Sequence, residues 1–474
     1  LTPDALGQGP PAGKRPSVPH GAARAPRALT PGARTRSAPP ERKGARPMAD
    51  RRQMFFVGLD EFNLETLRTL PQAAEVDFAP ALTFAEIRDD PEVDVAALIE
   101  LAASRMAAAP GGPAGVASFF DFPGTVIAAA LAERFDLPGP GLEPLFKAEH
   151  KYWGRLEHQK VAADHIPTFQ LFDPFDDGAF DRLGLVPPFW IKPVKSFRSY
   201  LAYQITDARH FAEVMETCRE KGPAIIEPFR EVMRAYEMPD EITEMPESFL
   251  AESTIGGAQC TLEGYAFDGR VVIYGVVDSV READGPSFAR YEYPSMLPLE
   301  IQHRMMDVAR LVIQQIGYAH GPFNIEFFYD QTADQVWLLE INPRASQSHA
   351  DLFHKVHGVS HLSVVVDLAL GRKPRPLPRK GRWNVAAHFF SRAYAPGRVT
   401  YAPSKAALDR IRSRQEDTRI QLMVGKGTDL AALANQDSYS FELANVYLGG
   451  RDRIDVLDRY DQVLTALQFE IEEA

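Results

Sequence analysis

From Met54 onward the chain alternates short apolar runs with amphipathic stretches. MFFVGLD reads as a buried strand closing at Gly58, and NLETLRTL as a short helix. VDVAALIEL (93–101) reads as a second buried strand and GVASFF (115–120) as a third. TVIAAALAERF is a run of strong helix formers, stopped by Pro138 and Gly139. Strands that alternate with helices predict a small parallel sheet. Lys151 then opens KYWGRLEHQKVAADHIPTF, a helix that runs into a strand at Ile166-Pro167. FWIKPV (189–194) is a strand with a lysine inside it. Residues 208–221 form an amphipathic helix, AIIEPF a strand, and 228–247 an acidic, proline-bearing insertion or surface loop. SFLAEST (248–254) is followed by a strand–turn–strand unit around Asp268-Gly269. Ile301, Met305, Val308, Val312 and Ile316 mark the buried face of a helix that ends at Gly317. KPRPLPRKGR (373–382) is a connector, residues 383–474 give strands and a closing helix, and GKGT at 425–428 is a turn. The pattern is of the mixed α/β and α+β class.

The stretch from Gly321 to Arg344, GPFNIEFFYDQTADQVWLLEINPR, carries the chemistry. Phe323–Phe328 and Val336–Asn342 are strands joined by a polar turn. Side chains alternate faces along a strand, so Asn324 shares a face with Glu326, and Glu340 with Asn342. A fold centred on Thr332 sets Glu326 opposite Leu338, one pair away from Glu340. Two like charges beside an apolar core are costly unless something positive lies between them. Carboxylate and amide oxygens suit Mg²⁺, which keeps a phosphate readily in its shell. Arg344, two residues beyond Asn342, is placed to clamp an anion beside the metal. A hairpin with a merely solvated acidic face is the alternative, and the Trp, Leu, Ile and Phe around the charges argue against it.

Charge and composition narrow the function. The formal net charge is −12, yet residues 1–53 hold 11 basic and 3 acidic side chains, so the remainder carries −20. So acidic a body argues against nucleic-acid binding and makes local lysines and arginines necessary wherever a triphosphate docks. Residues 1–47 contain ten prolines and no aromatic residue, a composition that reads as a disordered leader, and Met48 looks like a natural start. Two cysteines, Cys218 and Cys260, provide no disulfide framework and fit a reducing cytoplasm. No apolar run approaches the roughly 18 residues of a membrane span. Neither GxGxxG nor GxxxxGK[ST] occurs, which excludes a dinucleotide fingerprint and a P-loop.

FNIEFF followed by LLEINPR resembles the metal-binding end of the ATP-grasp superfamily, carboxylate–amine ligases and biotin-carboxylase-like enzymes among them. The resemblance runs from about Lys151 to about Gly371. It implies a preceding small parallel α/β domain (53–147, after a leader at 1–52), an ATP-grasp domain (148–375) and a C-terminal lobe (376–474). It also implies ATP and Mg²⁺, with two ions held by Glu326, Glu340 and Asn342, and Mn²⁺ as a second candidate ion. Arg344 would lie near the transferred phosphate. Lys151, with Arg155 as its rival, and Lys192 of IKP would hold phosphates. Glu252, with Glu227 as a weaker candidate, would accept from ribose or adenine. The family's glycine-rich flap is replaced by VKSFRSYLAYQI, without glycine, where Lys195, Ser196, Arg198 and Ser199 would substitute side-chain donors. Many relatives carry Glu where Gln259 stands. Ser346, Ser348 and His349 follow Arg344 and would touch the carboxylate substrate. The four histidines of this segment, His349, His354, His357 and His361, match no zinc signature and otherwise read as helix-surface or capping residues.

The expected activity is ATP-dependent joining of a small-molecule carboxylate to an amine through an acyl phosphate, with Lys192 and Arg344 as catalytic groups. A biotin-carboxylase-like reaction on bicarbonate and nucleotide binding without turnover are the alternatives. No nucleic-acid or membrane partner is expected, and a homodimer is left open.

Overall fold

The computed structural model describes residues 51–88, 94–196, 200–282, 285, 287–433 and 439–473. Three strands, β1 (Arg52–Leu59), β2 (Val76–Thr83) and β3 (Pro113–Ser118), form a parallel sheet in the order β2-β1-β3. Central β1 buries Met54 to Val57 without a break, which is why it reads as a continuous apolar run. The segment expected as a strand at 93–101 is instead the start of a helix, Val95–Ala107. Asp94 caps it by accepting from the Ala97 N–H. Its buried positions, Val95, Ile99, Ala102, Ala103 and Met106, recur every three to four residues. Three of these five lie beyond the run that suggested a strand, so the run alone was ambiguous.

A second, antiparallel sheet has the order β4-β7-β5-β6, from β4 (Phe169–Phe172), β5 (Phe189–Pro193), β6 (Tyr203–Ile205) and β7 (Phe249–Ser253). One helix, Ala208–Ala235, accompanies it. AIIEPF therefore lies inside a helix and is not a strand, and residues 228–235 continue that helix and are not a loop. Pro223 and Pro228 sit within it, and the apolar stripe passes through both: Phe211, Val214, Met215, Cys218, Gly222, Ile226, Phe229 and Met233 are all buried. Burial of that stripe outweighs the local cost of the prolines. The first half packs on the second sheet with Phe189, Ile191 and Phe249. The last turns join the core under the first sheet, where Phe229 meets Phe122 at 5.1 Å and Phe146 at 5.6 Å.

The third sheet has eight strands: β8 (Ala258–Phe267), β9 (Arg270–Arg281), β10 (Phe288–Tyr293), β11 (Gly321–Asp330), β12 (Gln335–Asn342), β13 (Val385–Ala393), β15 (Arg419–Leu422) and β16 (Phe441–Gly450). Their order is β12-β11-β8-β9-β10-β13-β16-β15, so strands of the C-terminal region extend the same sheet that carries the acidic hairpin. β14 (Gly397–Tyr401) and β17 (Glu470–Glu473) pair apart from it. Asp268 and Gly269 both take positive φ, 49° and 75°, as the tight turn between β8 and β9 requires. The helix Leu299–Gln315 buries Ile301, Met305, Val308 and Val312 against Phe323, Ile325, Phe327, Val336 and Leu338, the apolar face of the hairpin.

In the hairpin itself the register differs from the expected one. Asn324 pairs with Asn342 and Glu326 with Glu340, whereas Phe327 pairs with Leu338. Leu339 is the extra residue of a bulge, which brings the two glutamates into direct opposition. The bulge also turns the Leu339 carbonyl toward Arg155, whose Nη2 donates to it at 2.6 Å.

The bridging helix supplies a stability test. Phe229 is fully buried, so Phe229→Ala should cost about 3–5 kcal/mol in chemical denaturation. A loop residue at this position would cost less than about 0.5 kcal/mol.

Candidate active site

The floor of the site is the polar face of β11 and β12. Asn342 Nδ2 donates to Asn324 Oδ1 at 3.0 Å and approaches Glu326 Oε1 at 3.5 Å. Gln259, on neighbouring β8, donates to Glu326 Oε2 at 2.9 Å. Arg281 Nη2 in turn donates to Gln259 Oε1 at 2.7 Å. Burial, and then the charge of Glu340, push the Glu326 carboxyl up to about 7. Glu340 moves the other way. Burial works to raise it, but Lys151 and Lys192 hold it below the usual carboxylate range. Two carboxylates and an amide oxygen on one face are hard oxygen donors, and Mg²⁺ fits them. Among the described residues no group of three or more His, Cys, Asp or Glu side chains is gathered for a metal. Mg²⁺ takes the rest of its shell from water or phosphate.

Among the described residues, Lys151, Lys192, Arg155, Lys195 and Arg344 each face a carboxylate. Lys151 opens the helix Lys151–Ala162, and its Nζ lies 3.4 Å from Glu340 Oε2 and donates to the Ser196 carbonyl at 3.1 Å. Lys192 on β5 meets Glu252 Oε2 at 2.5 Å, and Arg155 meets Glu252 Oε1 at 2.6 Å. Glu252, expected to be open to ribose or adenine, is thus buried between two cations. They hold its carboxyl at about 2, against the opposing effect of burial. Burial lowers Lys192, an effect that Glu252 opposes. Lys195, expected over the phosphates, is turned inward: its Nζ meets Glu149 Oε2 at 2.5 Å and lies 5.5 Å from the centre of the Phe229 ring. The Thr125 hydroxyl donates to the other oxygen of Glu149. Arg198, proposed beside Lys195, lies outside the described residues. Arg344 Nε and Nη2 take the two oxygens of Asp121 at 2.6 and 2.7 Å.

Beyond Arg344 the chain is held from beneath. The Ser346 N–H donates to Glu263 Oε1 at 3.2 Å, and the Ser346 carbonyl lies 3.0 Å from His361 Nε2. His349 Nδ1 meets Glu263 Oε1 at 2.8 Å, and Ser348 is half-buried between. His349, His357 and His361 are buried rather than on a helix surface. Burial drives His349 down to about 3 and His361 to about 4 and keeps both rings neutral, while it lifts Glu263 to about 7.

Sequence reasoning missed Asp121, Glu149 and Glu263. A signal existed for Asp121: SFFDFPG follows β3 at the carboxyl end of a parallel sheet, where such sheets bind ligands. Glu149 and Glu263 carry no local signal, since their partners are 46 and 86 residues away.

Residues 185–350, about a third of the chain, match the family model of the ATP-grasp domain. The C-terminal section of carbamoyl phosphate synthase large chain from Methanopyrus kandleri is 30% identical over 131 residues, 27% of this chain and 24% of that relative. The chain thus spans about a quarter of that curated relative. The crystal structure of L-amino acid ligase from Bacillus licheniformis superposes with a TM-score of 0.66 at 16% identity, over 89% of this chain and 99% of that one. Carboxyaminoimidazole ribonucleotide synthase from Aspergillus clavatus, complexed with ATP, gives 0.62 at 11% identity, over 88% and 98%. At these identities the two structures establish a shared fold. No described helix is long and apolar enough to cross a membrane.

Glu252 gives a test with a pH signature. Its pKa falls from 4.5 to about 2 on folding, so its contribution is fully present above about pH 4.5 and is lost as pH drops toward 2. Glu252→Gln leaves Lys192 and Arg155 buried without their counter-charge and should cost about 3–5 kcal/mol at neutral pH. Denaturation midpoints should show that penalty constant between about pH 6 and 8 and shrinking below about pH 4.5.

Proposed function

We propose that the protein is an ATP- and Mg²⁺-dependent ligase. It transfers the γ-phosphoryl group to a small-molecule carboxylate and joins the resulting acyl phosphate to an amine, with release of ADP and phosphate. The observation that carries this reading is the direct opposition of Glu326 and Glu340, ringed by Lys151, Lys192 and Arg344. Phosphoryl transfer asks the protein for alignment and neutralisation more than for covalent help. Lys151 and Lys192 hold the phosphates, and Glu326, Glu340 and Asn342 hold the metal, which when bound neutralises charge on the phosphates. A second ion fits the same carboxylates, and Mn²⁺ offers the same preference for oxygen. Arg344 offers a guanidinium to the charge that develops on the transferred group. Ser346, Ser348 and His349 form the wall nearest the acid substrate. The names of the relatives, a carbamoyl phosphate synthase and an L-amino acid ligase, are consistent with carbon–nitrogen bond formation.

Glu340→Gln tests the reading. It keeps shape and removes one charge of the pair. Lys151 loses a partly exposed partner, worth about 0–1 kcal/mol, while repulsion on Glu326 is relieved. The ligand-free melting temperature should therefore stay within about 2 °C of wild type. The stabilisation conferred by Mg-ATP should largely vanish, together with ADP release in the presence of pooled carboxylates and amines. Wild-type turnover in this variant would contradict the assignment.

A further inference from the structure

Arg344 is gripped from two directions. Its backbone belongs to the hairpin: the Arg344 N–H donates to the Asn342 carbonyl at 2.8 Å, and the Arg344 carbonyl accepts from Asn324 Nδ2 at 3.0 Å. Its side chain is held by Asp121, 223 residues away in sequence, which follows β3 of the parallel sheet. That segment is itself fixed. Ser118 Oγ donates to the Val57 carbonyl at 3.0 Å and accepts from the Phe120 N–H at 3.1 Å. Phe119, Phe120 and Phe122 are buried around it, and the Asp121 carbonyl accepts from the Gly124 N–H at 2.9 Å. The two oxygens of Asp121 meet Nε and Nη2, a fork-on-fork geometry that fixes the plane of the guanidinium. Nη1 takes no part in that contact. Asp121 stays ionised: burial works to raise it, yet Arg344, with Lys195 and Arg88 further off, holds it at about 2.

We infer that Asp121 is a positioning residue for Arg344, contributed by the parallel-sheet region. It locks the guanidinium plane so that the Nη1 edge is presented to the transferred phosphoryl group. The inference rests on the phosphoryl-transfer reading above. It adds that a residue outside the span matched to the ATP-grasp domain completes the site. The competing use of the same carboxylate is as a stand-in for the acid substrate, displaced when that substrate binds. The two uses have opposite consequences. A positioning carboxylate is needed in the transition state, whereas a stand-in competes with it.

The test uses the full chain and a probe that needs no acid substrate, orthovanadate added to MgADP as a mimic of the transferred group. In the wild type MgADP should raise the melting temperature, and vanadate should raise it further. Asp121→Asn should keep the MgADP increment and lose the vanadate increment. ADP release with pooled carboxylates should fall about 100-fold, with KM for ATP within about twofold of wild type, as expected for a misaligned transition-state group. Arg344→Lys keeps the charge and loses the fork, so it should lose the same increment. It also serves if Asp121→Asn folds poorly. The double variant should be no slower than Arg344→Lys alone, because the two residues act as a unit, whereas independent structural defects would add. Asp121→Glu should restore part of the rate. A retained vanadate increment in Asp121→Asn or Arg344→Lys overturns the inference, and a larger one in Asp121→Asn shows the displaced stand-in instead. Absence of a vanadate increment in wild type overturns it as well. Absence of any MgADP increment in wild type contradicts the ligase reading itself, which keeps the two failures distinct.

Discussion

Strand pairing leaves Glu326 and Glu340 nowhere to go. They are register partners on adjacent strands, and the bulge at Leu339 brings them into direct opposition instead of one pair apart. Behind them lies an apolar wall of Phe323, Ile325, Phe327 and Leu338, packed on the helix Leu299–Gln315. Neither carboxylate can relieve the repulsion by moving its strand without unpacking that wall, because a strand slip exchanges its two faces. The repulsion is relieved from the cleft side, by cations. The placement of the other charged groups follows from that need.

Those cations arrive from separate parts of the chain. Lys151 comes from the start of a helix, Lys192 from β5 of the second sheet, and Arg344 from the end of the hairpin. With Lys195, each has a carboxylate against it: Glu340, Glu252, Asp121 and Glu149. An acidic chain can hold a concentrated positive site only by such pairing, since an unpaired buried ammonium would be costly. The four pairs differ in exposure. The Lys195–Glu149 side chains are 5% and 1% exposed, whereas Glu340 is 32% exposed beside Lys151. The exposed pair is the one that a polyanion and its metal can open. The Lys195–Glu149 pair works as scaffolding and turns Lys195 inward.

Much of this was legible in the sequence where periodicity and chemistry coincide. The hairpin, its acidic face, its supporting helix and the strand around Lys192 all follow from alternation or from a 3.6-residue stripe. Two elements were misread for physical reasons. VDVAALIEL is apolar enough for either a strand or a helix, and the deciding positions, Ala102 to Met106, lie past its end. AIIEPF follows Pro223 and contains Pro228, and both argue locally against a helix. The stripe that continues through both prolines is a property of the whole 28-residue element. Within the candidate site, Lys151, Lys192, Glu326, Glu340 and Asn342 could be singled out because each stands out in its own strand or helix. Their partners could not. Asp121, Glu149 and Glu263 owe their roles to contacts across the fold, and a carboxylate in a loop or helix looks solvated until its partner is known. The burial of His349 and His361 was missed for the same reason, since it comes with contacts to Glu263 and the Ser346 carbonyl.

The central claim concerns where a divalent cation sits. Crystals grown with Mn²⁺ and ADP, measured at a wavelength where manganese scatters anomalously, locate it directly. The account predicts an anomalous peak between the side chains of Glu326 and Glu340, beside Asn342, with the Lys151 ammonium withdrawn from Glu340 toward the nucleotide phosphates. A peak elsewhere, or bound ADP with no peak at the hairpin and Lys151 still against Glu340, would contradict it.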